Sequence, residues 1–273
     1  MDKSVSESIT DIMKRQVDAF KHAKKPTQKP HEEQKRAKKR KRTEKKLRPA
    51  EVELKSSRFR WLNELLYTSD SKSSFQYFKD NEGCFQDYHD GFKNQVKKWP
   101  KNPVDIFITE LKKEKYSSKV IADLGCGEGN LELEIKKHDP NREIYSYDIG
   151  KINEHVIQAD IAHLPLEDNS VDIAIFSLSL MSTNFLDHLL EANRILKVDG
   201  LLFVAEVSSR LEINKFVSLL HKFGFKKKKV GQIKTFFYVM TFQSFKANKK
   251  KVKKVLKETN PDDYLTPCKY KKR

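Results

Sequence analysis

The sequence predicts an α/β fold: a seven-stranded, mostly parallel sheet with helices on both faces, preceded by a helical cap. Three observations predict it. From Lys119 onward, short runs rich in Val, Ile and Leu alternate with segments whose apolar residues recur at helical spacing, the texture of consecutive βαβ units. The first run ends in a glycine-rich turn and a helix signal follows at once. The last two runs have no helix between them, which predicts an antiparallel hairpin at the sheet edge.

Each element follows from its residues. Val120-Ile121-Ala122-Asp123-Leu124 reads as the first strand, and Leu131 to Lys137 as its helix. Glu143 to Tyr147 and Val156 to Ala159 are the second and third strands. Val171 to Leu178, dense in Val and Ile, reads as a strand buried on both faces. Leu186, Leu189, Leu190 and Leu196 stripe a helix over Asn184 to Leu196. A fifth strand spans Leu201 to Glu206, a helix Lys215 to Phe223, and the final pair Phe225 to Val230 and Phe236 to Phe242. Upstream, residues 56–116 read as helical. Phe59, Leu62, Leu65 and Leu66 share a face, an aromatic stretch runs from Phe75 to Phe92, and Pro100 and Pro103 separate two helices.

Charge divides the chain. The net charge is +17 over 273 residues, but residues 21–50 hold 14 Lys or Arg against 3 Glu, and residues 246–273 hold 11 against 3 acids. The interior is nearly neutral. This predicts a disordered basic N-terminal tail over 1–55, a helical cap over 56–117, a core over 118–245 and a basic C-terminal tail over 246–273. Such tails are electrostatic handles for nucleic acid and argue against a small-molecule enzyme. The run Ala37-Lys38-Lys39-Arg40-Lys41-Arg42 reads either as solvated charge or as a nuclear or nucleolar address. Cys84, Cys126 and Cys268 are far apart with no CxxC spacing, so neither a zinc site nor a disulfide framework is expected. The N-terminus is polar, with no hydrophobic signal core.

The chemistry concentrates after the first strand. Gly125-x-Gly127-x-Gly129 follows Asp123-Leu124, and position 130, where a dinucleotide fingerprint needs glycine, holds Asn130. This spacing, with an acid two residues before the first glycine, suits the amino-acid end of S-adenosylmethionine. Asp148 ends the second strand and is placed to accept from a ribose diol; alone it reads as a turn cap. Asp160, just past the third strand, is placed to accept from an adenine amino group, with Ile161 against the ring; alone it reads as a turn residue. The three signals occur in order, each at the carboxyl end of a strand, where open parallel sheets bind ligands.

Several longer stretches carry a family resemblance: Tyr88-His89-x-Gly91-Phe92, Gln95-Val96-Lys97-Lys98-Trp99-Pro100, Pro165-Leu166-Glu167-Asp168, Ser177-Leu178-Ser179-Leu180-Met181-x-Thr183-Asn184, Glu191-Ala192-Asn193-Arg194, Val204 to Arg210, and the ending Pro267-Cys268-x-Tyr270-Lys271-x-Arg273. Over residues 75–245 and the extreme C-terminus, the chain resembles the ribosomal RNA-processing protein 8, or nucleomethylin, family. The resemblance implies a Rossmann-like class I methyltransferase fold and N1-methyladenosine formation in large-subunit (25S/28S) ribosomal RNA. It implies a nucleolar location and pre-ribosomal RNA as partner. It places cofactor contacts on His89, Gly125, Asp148, Asp160, Ile161 and Ser177. It also raises a second reading, a chromatin-silencing module that binds methylated histone H3. The basic tails argue against a third reading, a small-molecule methyltransferase. Two departures stand out: Lys197-Val198-Asp199-Gly200 replaces a Lys-Pro-Gly-Gly turn, and Ser177 stands where relatives can carry cysteine.

Methyl transfer from a sulfonium is an in-line displacement that depends mainly on alignment. Adenine N1 is unprotonated at neutral pH, so no strong base is required, but it must be freed from base pairing. The product is cationic. Glu206, at the end of the fifth strand, is therefore a candidate for stabilising the developing charge, with a plain salt bridge as its alternative. The Asn-Pro-Pro-Tyr or Asp-Pro-Pro-Tyr motif of amino-directed N-methylases is absent after the fourth strand, which disfavours N6 attack. Lys226 to Lys229 and Lys249 to Lys254 extend the basic track, or serve solubility alone.

Overall fold

The computed structural model describes residues 49–268, apart from Glu82. The expected tail over residues 1–48, its basic run and the final five residues lie outside the described residues. The helical region opens at Pro49, before the expected boundary at residue 56. Helix α1 (Pro49–Thr68) carries Glu51 in its first turn, where an acid complements the helix dipole. α2 (Ser71–Asp80) starts at Asp70, whose carboxylate accepts from the Ser73 N–H at 2.7 Å. α3 (Cys84–Val96) and α4 (Pro103–Leu111) complete the region before the sheet. Phe59, Leu62, Phe78, Phe85 and Tyr88 bury their side chains together as the core of the cap.

The sheet and its helices follow in chain order: β1 (Ile121–Leu124), α5 (Asn130–Lys136), β2 (Ile144–Asp148), β3 (Val156–Gln158), β4 (Val171–Ser177), α6 (Phe185–Ile195), β5 (Leu196–Val207), α7 (Ile213–Lys222), β6 (Phe225–Ile233) and β7 (Phe237–Ser244). The spatial order is β3-β2-β1-β4-β5-β7-β6. The first five strands are parallel, and β7 runs antiparallel between β5 and β6. The expected terminal hairpin is therefore present, with its second strand inserted inside the sheet. This is the class I methyltransferase topology, and its strand order changes direction between β1 and β4, which is where such sheets open a ligand crevice.

Period-two alternation sorts the central strands between two helical layers. Ile173, Ile175, Phe203 and Ala205 face the layer of α4 and α5. Ala174, Phe176, Leu202 and Val204 face that of α6 and α7. The turn expected at residues 197–200 is instead a bulge inside β5: Val171 pairs with Leu196 and Ile173 with Leu201, and Asp199 absorbs the extra length at φ 62°. Asp tolerates that conformation better than most residues.

The C-terminal segment differs from a simple basic tail. α8 (Lys249–Glu258) is capped by Asn248, whose side chain accepts from the N–H groups of Lys250 and Lys251. Val252 and Leu265 insert into the main core, and Val255, Leu256 and Tyr264 pack against it, which ties a lysine-rich segment down by its apolar side. The Thr266 N–H bonds the Arg210 carbonyl at 2.8 Å, and the Asn63 amide bonds the Cys268 carbonyl at 3.0 Å. Lys246 spends its charge on the carbonyl end of α6, bonding the Asn193 and Leu196 oxygens at 2.8 and 2.7 Å. No described helix is long and apolar enough to cross a membrane.

Candidate active site

A cavity of about 410 Å³ lies at the carboxyl ends of β1, β2 and β4 and is roofed by the cap. Its floor is the glycine loop. Gly125, Gly127 and Gly129 sit at φ 81°, 62° and 72°, the left-handed region that a side chain disfavours. Gly125 also has no room: a Cβ there would lie 2.3 Å from Cβ of Ser179. The N–H groups of Gly125 and Cys126 both bond the Tyr147 carbonyl, which folds the loop back over the end of β2.

Two carboxylates meet beneath this loop. Asp148 accepts from the Gly127 N–H at 2.7 Å through Oδ2 and from the Ile149 N–H at 2.8 Å through Oδ1. Burial outweighs these donors and pushes its pKa up to about 7. Asp123 is 2% exposed, and among the described residues its Oδ1 has no hydrogen-bond partner. Burial, and then the charges of Asp148 and Glu132, push Asp123 to about 7 as well. Two desolvated acids with unused acceptor capacity form a site that awaits donors.

His89 comes from α3 and lines the same cavity. Its ring packs edge-on against Phe85 with centroids 4.4 Å apart, and a Cβ on Gly127 would lie 3.0 Å from its Cε1. The imidazole therefore rests directly on the loop. Burial, with a smaller contribution from Lys93, lowers its pKa to about 4, so it is neutral at physiological pH. Among the described residues its Nε2 has no partner. Ile161 and Ser177 also line the cavity.

Two sequence candidates stand apart. Asp160 is next to Ile161 but does not line the cavity; its Oδ1 accepts from the Ala162 N–H at 3.0 Å, the turn role it shows when read alone. Glu206 is fully buried away from the cavity, and its Oε2 receives Arg210 Nη1 at 2.6 Å. Arg210 in turn bonds the carbonyls of Thr266 and Leu180 and lies over the Tyr67 ring. Glu206 thus anchors a structural arginine, and the salt-bridge alternative describes its position. The residue register of β5 leads to that burial: Glu206 pairs with Tyr238 of β7 inside the sheet instead of ending an exposed strand.

The structure also brings in residues that the sequence did not single out as site residues. Leu178 takes φ 62°, a conformation that a bulky residue holds only under constraint, and its N–H bonds the Ala205 carbonyl at 3.0 Å. Ser179 donates to the Leu124 carbonyl at 2.5 Å, joining the ends of β1 and β4. Asn102 and Val104, at the start of α4, reach the cavity too. Their only sequence signal was an Asn-Pro pair, which reads as an ordinary helix start.

Comparison with known proteins decides the family. A family model described as a hypothetical methyltransferase matches residues 45–273. Ribosomal RNA-processing protein 8 of Dictyostelium discoideum is 44% identical over 230 residues, 81% of this chain and 58% of that protein. The 25S rRNA (adenine(645)-N(1))-methyltransferase of Schizosaccharomyces pombe is 42% identical over 230 residues, 81% of this chain and 70% of that protein. The chain belongs to the ribosomal RNA-processing protein 8 family of methyltransferases. It spans 58% of the Dictyostelium relative's length, so it matches only part of that protein. Among solved structures, a 1,6-didemethyltoxoflavin-N1-methyltransferase from Burkholderia thailandensis is 14% identical with a TM-score of 0.49, over 59% of this chain and 87% of that one.

The family's cofactor is S-adenosylmethionine, and the donor set fits it. The unpartnered Asp123 oxygen suits an ammonium group, and the residual acceptor capacity of Asp148 suits a diol. Gly125 and Gly127 leave the cradle open where a Cβ would strike Ser179 or His89.

Proposed function

We propose that this member of the ribosomal RNA-processing protein 8 family methylates N1 of an adenine in large-subunit ribosomal RNA, with the nucleolar pre-ribosome as its setting. The single observation that carries the reading is the pair of buried carboxylates, Asp123 and Asp148, converging on the glycine loop beneath an aromatic cap. The relatives' names supply the substrate class: rRNA processing and adenine-N1 methylation of 25S rRNA. They lend no support to the chromatin-silencing reading.

In this reading Asp148 holds the ribose, Ile161 packs on the adenine, and Gly125, Ser177 and Asp123 hold the amino-acid end. His89 closes the roof. The bound cofactor supplies a methyl group already activated on a sulfonium. The protein's share is alignment and exclusion of water. His89 and His188, both held near pKa 4 by burial, add no charge of their own to the cavity, whose lining cations are Lys93 of α3 and Lys97 at its C-cap. The adenine N1 lone pair forms the new N–C bond as the C–S bond breaks, and the positive charge passes from sulfur to the purine. No proton moves in this step, so no general base is needed.

The exposed lysines Lys226, Lys227, Lys228 and Lys229 on edge strand β6, with Lys250, Lys251, Lys253 and Lys254 of α8, supply sequence-independent phosphate contacts. The decisive experiment incubates the purified chain with labelled S-adenosylmethionine and large-subunit RNA from cells lacking the protein. Label at one adenine, with a primer-extension stop there, is expected. Label only at N6, or none, overturns the reading.

A further inference from the structure

The stretch Gln95 to Pro100 takes no part in the cofactor cradle, yet it is tightly placed. Trp99 sets its ring edgewise against Phe92 of α3, with centroids 5.5 Å apart, and against Phe237 at the start of β7, at 4.9 Å. Phe237 pairs with Val207, the last residue of β5, so the indole pins this turn to the carboxyl end of the sheet. Asn102 follows at the N-cap of α4. An Asn there ordinarily accepts from a first-turn N–H. Here the side chain makes no capping bond. It lines the cavity instead, with Phe92, Val96, Val104, Leu178 and Met181. These residues come from α3, α4 and the segment after β4, not from the glycine loop or the ends of β2 and β3.

We propose that this part of the cavity seats the target base and that Asn102 determines its identity by bonding N6 and N7 of adenine. The inference rests on the adenine-N1 reading above. N1 must face the methyl group, so the Watson–Crick edge is unavailable for full recognition. The other edge carries an N6 donor and an N7 acceptor. A carboxamide matches both: Oδ1 accepts from the N6 amino group and Nδ2 donates to N7. Guanine presents O6 in place of N6 and leaves Oδ1 facing another acceptor. Two acceptors then face each other, and the bond that adenine makes through N6 is lost. Half-buried Phe92 retains aromatic surface on which a flipped base can stack.

The same bond favours the transition state. Positive charge entering the ring through N1 makes the N6 protons more acidic, so the N6–H···Oδ1 bond strengthens as the methyl transfers. Asn102 itself neither gains nor loses a proton.

The test uses the adenine located by the labelling experiment, in a synthetic RNA carrying adenosine, purine riboside (no N6 amino group) or 7-deazaadenosine (no N7) at that position. The wild-type chain is expected to lose about tenfold or more in kcat/KM on each analogue, the usual scale of a two-bond Asn–adenine contact. Asn102→Ala should methylate adenosine slower by a similar factor and treat the three RNAs more nearly alike. Asn102→Asp, which is isosteric and keeps a good N-cap, should still favour adenosine over the purine but no longer over the 7-deaza base. Both variants should bind S-adenosylmethionine as tightly as wild type in calorimetry. An Asn102→Ala or Asn102→Asp chain that folds and discriminates among the three RNAs as wild type does overturns the inference. If the wild type methylates no adenine, the function reading falls with it.

Discussion

Replacing Glu206 by Gln separates a structural role from a catalytic one. Glu206 is 0% exposed and Arg210 3%, and they meet at 2.6 Å. Glutamine keeps the volume and removes the charge. Arg210 would then remain among Tyr67, Leu180 and Thr266 with two carbonyl acceptors and no counter-ion. Breaking a buried pair from one side costs about 3–5 kcal/mol, because an uncompensated charge is left in low dielectric. For a domain of about 220 residues each kcal/mol moves Tm by about 2–4 °C, so a fall of about 6–20 °C is expected. Arg210→Met should fall at least as far, since it strands two carbonyls as well as the acid. The double variant Glu206→Gln/Arg210→Met should be no less stable than Arg210→Met alone, because the two residues act as a unit. Thermal denaturation of the four proteins reads the cycle. Assayed well below Tm, Glu206→Gln should retain wild-type affinity for S-adenosylmethionine and most of its kcat. A variant with unchanged Tm and lost turnover would refute this reasoning and restore Glu206 as a charge-stabilising residue.

Other outcomes follow from the cradle and the surface. Asp148→Ala should weaken S-adenosylmethionine binding by about ten- to a hundredfold, the scale of one or two hydrogen bonds to a charged acceptor, as calorimetry would show. Asp123 and Asp148 both titrate near 7 in the fold against an ordinary value near 3.8, so the native state holds extra protons between those values. The free protein should therefore lose stability as pH rises from about 4 to about 7 and level off above, while cofactor affinity, which needs the ionised acids, should fall below pH 7 by up to about tenfold per unit for each proton taken up. Titrations at pH 6 and 8 in two buffers of different ionisation heat would count those protons. Gly125→Arg should abolish cofactor binding, since even a Cβ would meet Ser179 at 2.3 Å; retained affinity would show that the loop can move aside. Changing Lys226, Lys227, Lys228 and Lys229 to Gln should weaken RNA binding and flatten its logarithmic salt dependence by about 0.7–0.9 for every phosphate left unneutralised, with cofactor affinity unchanged in a parallel titration.

What the sequence determined by itself was local. Alternating apolar runs set the strands and helices because their periods, two and 3.6, are readable in any short window. The glycine spacing marked the loop because only glycine takes three left-handed turns in five residues. The terminal hairpin was legible because no helix intervened. What tertiary structure decided was which side chains meet. Glu206 reads as the acid at a strand end, but β7 covers it and Arg210 claims it, and no window of sequence records a neighbour brought across the sheet. Asn102 reads as a cap, and becomes a cavity residue only because Trp99, held by Phe92 and Phe237, pins its turn beside β5. The lysine-rich C-terminus reads as a tail, yet Val252 and Leu265 find the core. Val252, Val255 and Leu256 keep helical spacing, but so short a stripe among many charges shows where it docks only once a complementary surface exists.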